Sequence, residues 1–103
     1  MTRFSYDTTQ ISAFCTRWKI RQLHLFGSFA KNEETPQSDV DLLVRFHPDT
    51  SWGLFDHATM TQELSKIFNR DVDLLTYPSV ERSANPIRKQ SILSHVVSLY
   101  DEA

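Results

Sequence analysis

HLFGSFAKNEETPQSDVDLLVRF (His24–Phe46) ends one apolar run at a glycine and a serine, then resumes as a second that opens on two aspartates. The residues leading into it, Ile20–Phe26, alternate, with Leu23 and Leu25 on one side and His24 and Phe26 on the other, which is the period of a strand. Gly27-Ser28 interrupts that strand. Ser28–Asn32 reads as a short helix closed by Asn32, a residue that tolerates the left-handed conformation of a C-cap. Glu33–Ser38 is a polar loop with a proline. Asp39–Phe46 is the second strand: Val40, Leu42, Val44 and Phe46 share one face, Asp39 and Asp41 the other. Two carboxylates about 6.5–7 Å apart on one strand face repel each other, and a hard divalent cation removes that penalty.

Outward from this stretch the pattern is regular. Asp7 or Thr8 can cap a helix whose apolar residues fall at Ile11, Phe14, Cys15 and Trp18. After the loop His47–Gly53, a longer helix over about Leu54–Phe68 places Leu54, Ala58, Leu64, Ile67 and Phe68 on its apolar side. Val72–Tyr77 is a third strand and Pro78–Ala84 a loop. Asn85-Pro86 forms an N-cap/N1 pair for a last helix over about Pro86–Tyr100, which buries Ile92, Leu93, Val96 and Leu99. The expected order is α-β-α-β-α-β-α, an α/β fold with a small three-stranded sheet packed by helices and one domain over residues 1–103.

Composition narrows the classes of function. Hydrophobic residues make up 40% and charged residues 23% of the 103, ordinary values for a globular fold. The net charge of −2 lacks the basic footprint of a nucleic-acid binder and disfavours that partner. Cys15 is the single cysteine, so no internal disulfide or cysteine-based zinc site can form, which fits a reducing cytoplasm. Met1–Tyr6 has no apolar signal core, and no apolar run is long enough to span a bilayer. The expectation is a cytoplasmic protein with no membrane partner.

The third strand carries Asp73 on the face it shares with Leu75, so a neighbouring strand can bring it beside Asp39 and Asp41. Three carboxylates from two strands can scaffold two metals about 3.5–4 Å apart for an in-line phosphoryl displacement. Gly27 lets the backbone approach a phosphate, and Ser28 adds a hydroxyl donor at a turn that exposes N–H groups. Each piece has a plainer meaning: a lone D-x-D is more often an ordinary strand start, and a lone Gly-Ser a turn with Ser28 as N-cap. FGSFA does not match the G-x-S-x-G of a nucleophilic serine. His24, His47, His57 and His95 lack metal-ligand spacing. Arg45 shares the Asp41 face and is either a neutralising partner or an exposed strand residue, and Trp52 stays open between a lip over a base and a partner contact.

Gly27-Ser28, ten residues, then Asp39-x-Asp41 closely resembles the signature of the polymerase-β-like nucleotidyltransferase superfamily. LFGSFAK…SDVDLLV, followed by RDVDLLTY with Asp73 and by the tail SLYDEA, is similar to its minimal nucleotidyltransferase (MNT) family over nearly the whole chain. The resemblance implies that Asp39, Asp41 and Asp73 are catalytic and hold two Mg²⁺ ions, Asp73 nearer the acceptor. It implies that Gly27, Ser28 and Lys31 contact the nucleotide, with ATP as substrate. It also implies an antitoxin of a type VII-like HEPN/MNT pair, which transfers AMP to a tyrosine of its HEPN RNase toxin and forms a hetero-oligomer with it. A binding-only antitoxin acting by occlusion, and a nucleotidyltransferase acting on a small molecule or an RNA end, are the alternatives. The family's usual Arg-Gly is Lys31-Asn32 here, which keeps a positive charge but loses the guanidinium's bidentate grip.

Overall fold

Helix α1 (Thr8–Arg17) starts where Asp7 accepts hydrogen bonds from the Thr9 and Gln10 amides at 2.8 and 3.3 Å. Past its C-cap at Trp18, Lys19 with a φ of 55° turns the chain into β1 (Ile20–Phe26). In this computed structural model, which describes residues 6–31, 33, 35 and 37–102, the next elements are β2 (Val40–Phe46), α2 (Leu54–Phe68) and β3 (Val72–Thr76). Helices α3 (Tyr77–Glu81) and α4 (Pro86–Leu93) and strand β4 (Val97–Asp101) complete the fold. The sheet order is β3-β2-β1-β4, with β2 and β3 parallel and the other pairs antiparallel. A parallel pair needs a long return path, and α2 supplies it.

Each sheet face has its own core. Leu23, Leu25, Val40, Leu42, Val44 and Leu74 pack with Ile11, Phe14 and Cys15 of α1 and Met60, Leu64 and Phe68 of α2. The opposite face joins Phe26 and Leu43 to Tyr77, Val80 and Ile92 of α3 and α4. Burial pushes the Cys15 thiol up to about 12, so at neutral pH it is a packed apolar group rather than a nucleophile. Among the described residues, no helix is long and apolar enough to cross a membrane.

Several expected elements differ. Residues 27–31 form turns, not a helix: Lys31 N–H donates to Gly27 O at 3.1 Å and Glu33 N–H to Ser28 O at 2.8 Å, and nothing propagates. Asn32, expected as its cap, lies outside the described residues. Tyr77 opens α3 rather than closing β3, because Thr76 accepts from Ser79 N–H at 3.2 Å and Pro78 occupies the first turn; the expected loop 78–84 is therefore partly helical. Asn85 and Pro86 start α4 as expected, but the helix stops at Leu93. Residues expected to continue it form β4, a fourth strand on the open edge of β1. Val96, expected in the core, is 38% exposed. On α2, Leu54 is 83% exposed and Ala58 is exposed, whereas Met60, not expected inside, is fully buried.

Truncating Leu42 to alanine should therefore cost about 2–5 kcal/mol, while Leu54→Ala should stay within about 0.5 kcal/mol. Urea unfolding of the two variants measures the contrast.

Candidate active site

The ends of three strands meet at one edge of the sheet. Phe26, the last residue of β1, pairs with Asp41, and Asp41 pairs across the parallel ladder with Asp73. Because Leu42 and Leu74 face the α1/α2 core, Asp41 and Asp73 both project from the other face, about 4.8 Å apart by strand spacing. Asp39, expected to open β2, instead precedes it by one residue and lines the cleft at the end of α2. Asp41 is half-buried, Asp39 and Asp73 are exposed. Burial first, then the charges of Asp73 and Asp39, push the Asp41 carboxyl up to about 6. Asp41 and Asp73 are thus neighbours in the ladder, and Asp39 adds its charge to the field at Asp41.

Gly27 lies against this cluster. Its φ of +74° suits glycine, and a Cβ there would collide with the Asp41 carboxylate Oδ2 and stand 3.1 Å from Cγ. Any other residue would push Asp41 out of place. Ser28 is half-buried beside it, and Lys31 is exposed at the end of the turn.

Arg70 ties the pieces together, a residue that the spacing of the motif did not single out. Its Nη1 donates to Ser38 O at 3.1 Å and Thr35 O at 3.4 Å, and its guanidinium sits 5.0 Å from the Phe29 ring centroid. It thereby joins the residue after Ser28, the loop before Asp39 and the start of β3. Its own position is set by the end of α2: Asn69 takes the left-handed C-cap at φ 56°, Arg70 N–H donates to Ser65 O, and Ser65 Oγ donates to Arg70 O at 2.7 Å. An open cleft of about 660 Å³ runs along Ser38, Asp39, Lys66, Asn69 and Arg70.

Other polar residues are engaged elsewhere. Arg45 donates to Gln22 Oε1 at 3.1 Å, approaches Glu81 at 3.7 Å and stacks on Tyr77 at 4.7 Å, so it does not neutralise Asp41. His24 joins the Tyr77 hydroxyl at 2.6 Å and Asp101 at 3.1 Å, His47 meets Glu102 at 2.7 Å, and His57 meets Leu74 O at 2.9 Å. Trp52 closes the end of α1, with its indole N–H donating to Trp18 O at 2.9 Å and its ring edge-on to Trp18.

Among the described residues, no three His, Cys, Asp or Glu side chains are already gathered as a metal-ligand set. The donors nevertheless fit a hard divalent cation: all are carboxylate oxygens, and such a cation would offset both the burial and the repulsion that raise Asp41.

A sequence model of the nucleotidyltransferase domain matches residues 8–99. The chain belongs to the nucleotidyltransferase domain family, and its architecture is that of the minimal nucleotidyltransferases. Two Methanocaldococcus jannaschii proteins, each named "putative protein adenylyltransferase", are similar to it. One is 35% identical over 78% of this chain and 80% of its own length, the other 34% over 74% and 73%. A "putative minimal nucleotidyltransferase" of known structure superposes with a TM-score of 0.64 at 28% identity, covering 87% of this chain and 86% of that one. A chain from the crystal structure of a toxin–antitoxin with AMP-PNP shares the fold at TM-score 0.69 and 21% identity, over 93% of this chain and 74% of its own.

A carboxyl raised in the folded state binds its proton more tightly there than in the unfolded chain, so its contribution to stability falls as pH rises from about 4 to about 6. Asp41→Asn should remove this penalty and gain about 1–2 kcal/mol at pH 7, discounted for solvent screening, with little change at pH 3. Denaturant midpoints across that range test the sign. Arg70→Ala should keep the fold and speed amide exchange at Ser38 and Asp39, the segment the guanidinium holds.

Proposed function

We propose that this chain transfers AMP from ATP to a hydroxyl of a partner protein, with Asp39, Asp41 and Asp73 as its catalytic carboxylates. The observation that carries the reading is the parallel register that sets Asp41 opposite Asp73, with Gly27 closed against the Asp41 carboxylate. In this reading the Gly27 and Ser28 backbone and the Ser28 hydroxyl hold the outer phosphates, and Lys31 adds a positive charge beside them. Two Mg²⁺ ions held by Asp39, Asp41 and Asp73 would neutralise the triphosphate and favour ionisation of the acceptor hydroxyl. Asp73, on the β3 side, orients that hydroxyl and accepts its proton directly or through water. The acceptor oxygen forms a bond to the α-phosphorus as the bond to the bridging oxygen breaks, and pyrophosphate leaves past Ser28. Gly27 and Arg70 keep the turn and the Asp39 segment in register with Asp41, so the reacting groups are positioned before ATP arrives.

The acceptor we assign is a tyrosine of a HEPN-type toxin that this chain neutralises as its antitoxin. Two likenesses support this: relatives named as putative protein adenylyltransferases, and a shared fold with a chain from the tri-AMPylated Shewanella oneidensis HEPN toxin in complex with MNT antitoxin. That superposition has a TM-score of 0.61 at 21% identity, over 92% of this chain and 70% of the other.

Incubation with labelled ATP, Mg²⁺ and the protein encoded beside it should add one or more AMP units to that partner by intact mass. Asp39→Asn and Asp41→Asn should abolish the addition while the chain stays folded. Neutralisation of the partner by the wild type with no added mass, and equally by both variants, would instead show occlusion.

A further inference from the structure

A second polar site lies outside the carboxylate cluster. Between α3 and α4 a cavity of about 200 Å³ is lined by Leu75 and Ile92 on its apolar side and by Ser79, Ser83, Arg88 and Lys89. Ligand pockets usually run from about 300 Å³ upward, so this one suits a group of a ligand rather than a whole nucleotide. Its lining combines two cations with two hydroxyls and includes no carboxylate. Lys89 donates to Glu81 O at 3.1 Å and retains two further donors. The Ser83 hydroxyl accepts from Asn85 N–H at 3.3 Å and keeps its own proton to donate. The Arg88 guanidinium has no hydrogen bond or ion pair among the described residues. Arg88 is exposed and Lys89 half-buried, so both are open to an anion that enters this small cavity, whose lining has no carboxylate. Donors from four side chains match the several acceptor oxygens of a phosphate better than the two of a carboxylate.

The position of the cavity says which phosphate. Across the sheet edge Gly27-Ser28 lies at β1, Asp41 on β2 and Asp73 on β3, and Leu75 is the next residue along β3 on the Asp73 face. The cavity therefore flanks the site about 6.5–7 Å beyond Asp73, on the side away from the Gly-Ser turn. We propose that it is a phosphate subsite on the acceptor flank, which holds the phosphodiester that transfer leaves on the partner protein and so retains the modified partner. The identity of that phosphodiester rests on the function proposed above; the affinity of the cavity for phosphate does not.

The full chain, free of divalent metal, is titrated with inorganic phosphate while backbone amide resonances are followed. Saturable shifts at Ser79, Ser83, Arg88 and Lys89 are expected, lost in Arg88→Glu and kept in Asp41→Asn. Absence of those shifts, or equal shifts in Arg88→Glu, overturns the subsite. If Arg88→Glu fails to fold, Ser79→Ala takes its place: weakened shifts support the subsite and unchanged shifts overturn it. The dissociation constant of the partner is then measured before and after modification. The modified form should bind about tenfold tighter or more, the worth of one charge-assisted hydrogen bond, and Arg88→Glu should erase the difference. Equal affinity of both forms for the wild type overturns the assignment to the acceptor. So does a short 5′-phosphorylated RNA that occupies the cavity more tightly than the modified partner. Absence of any transfer by the wild type defeats the proposed function, and the phosphate titration still decides the cavity.

Discussion

Placing Asp41 beside Asp73 across a parallel ladder, at the end of the sheet where β1 gives way to Gly27, is the constraint around which this small fold is organised. Burial of Asp41, and then the like charges of Asp73 and Asp39 near it, make this placement costly, and the raised Asp41 carboxyl records the cost. The cost persists because the same strands bury Leu42 and Leu74 on their other face. A one-residue slip of β3 would relieve the carboxylates only by turning apolar side chains out of the core. Hydrophobic burial thus holds an electrostatically unfavourable pair in register, the arrangement expected of a site that serves a cation or a reacting group rather than stability.

The rest of the chain serves that register. Helix α2 carries β3 back parallel to β2, and its C-cap at Asn69 delivers Arg70 to the one place from which it reaches Phe29, Thr35 and Ser38. The Asp39 segment, which has no strand partner of its own, is held by that guanidinium instead. Arg45, on the same strand face as Asp41 but further along β2, is committed to Gln22, Glu81 and Tyr77. Both faces of the sheet are covered, yet the cluster's edge stays open, so a chain of this size can combine a packed core with an accessible row of carboxylates.

Most of the elements were legible where one physical signal dominated. The alternation in Ile20–Phe26, the Asp7 cap and the Leu54–Phe68 helix appear with the expected bounds. The pairing of Asp73 with the strand carrying Asp41 was legible as a face and not as a register, because strand order is set by a crossover that no local pattern encodes. The misreadings fall where local and tertiary preferences compete. Leu99 continues the helical stripe of Ile92, Leu93 and Val96, but the open edge of β1 offers Val97–Asp101 a ladder of backbone hydrogen bonds, and the strand forms. Leu54 fits the apolar stripe of α2 and is exposed, because the helix extends past the end of the core at that turn.

By itself the sequence determined the chemical inventory: a glycine before a serine, Asp41 and Asp73 within strand patterns with Asp39 beside them, one cysteine and a net charge of −2. These depend on residue type and on periods of two and 3.6, which are local properties. Only the tertiary structure decided that Gly27 must lack a side chain because Asp41 fills the space. It alone recruited Arg70 to brace the loop before Asp39 and set Arg88 and Lys89 about a cavity beside β3. Those relations join residues that are distant along the chain, and only the packing of two cores on one sheet brings them together.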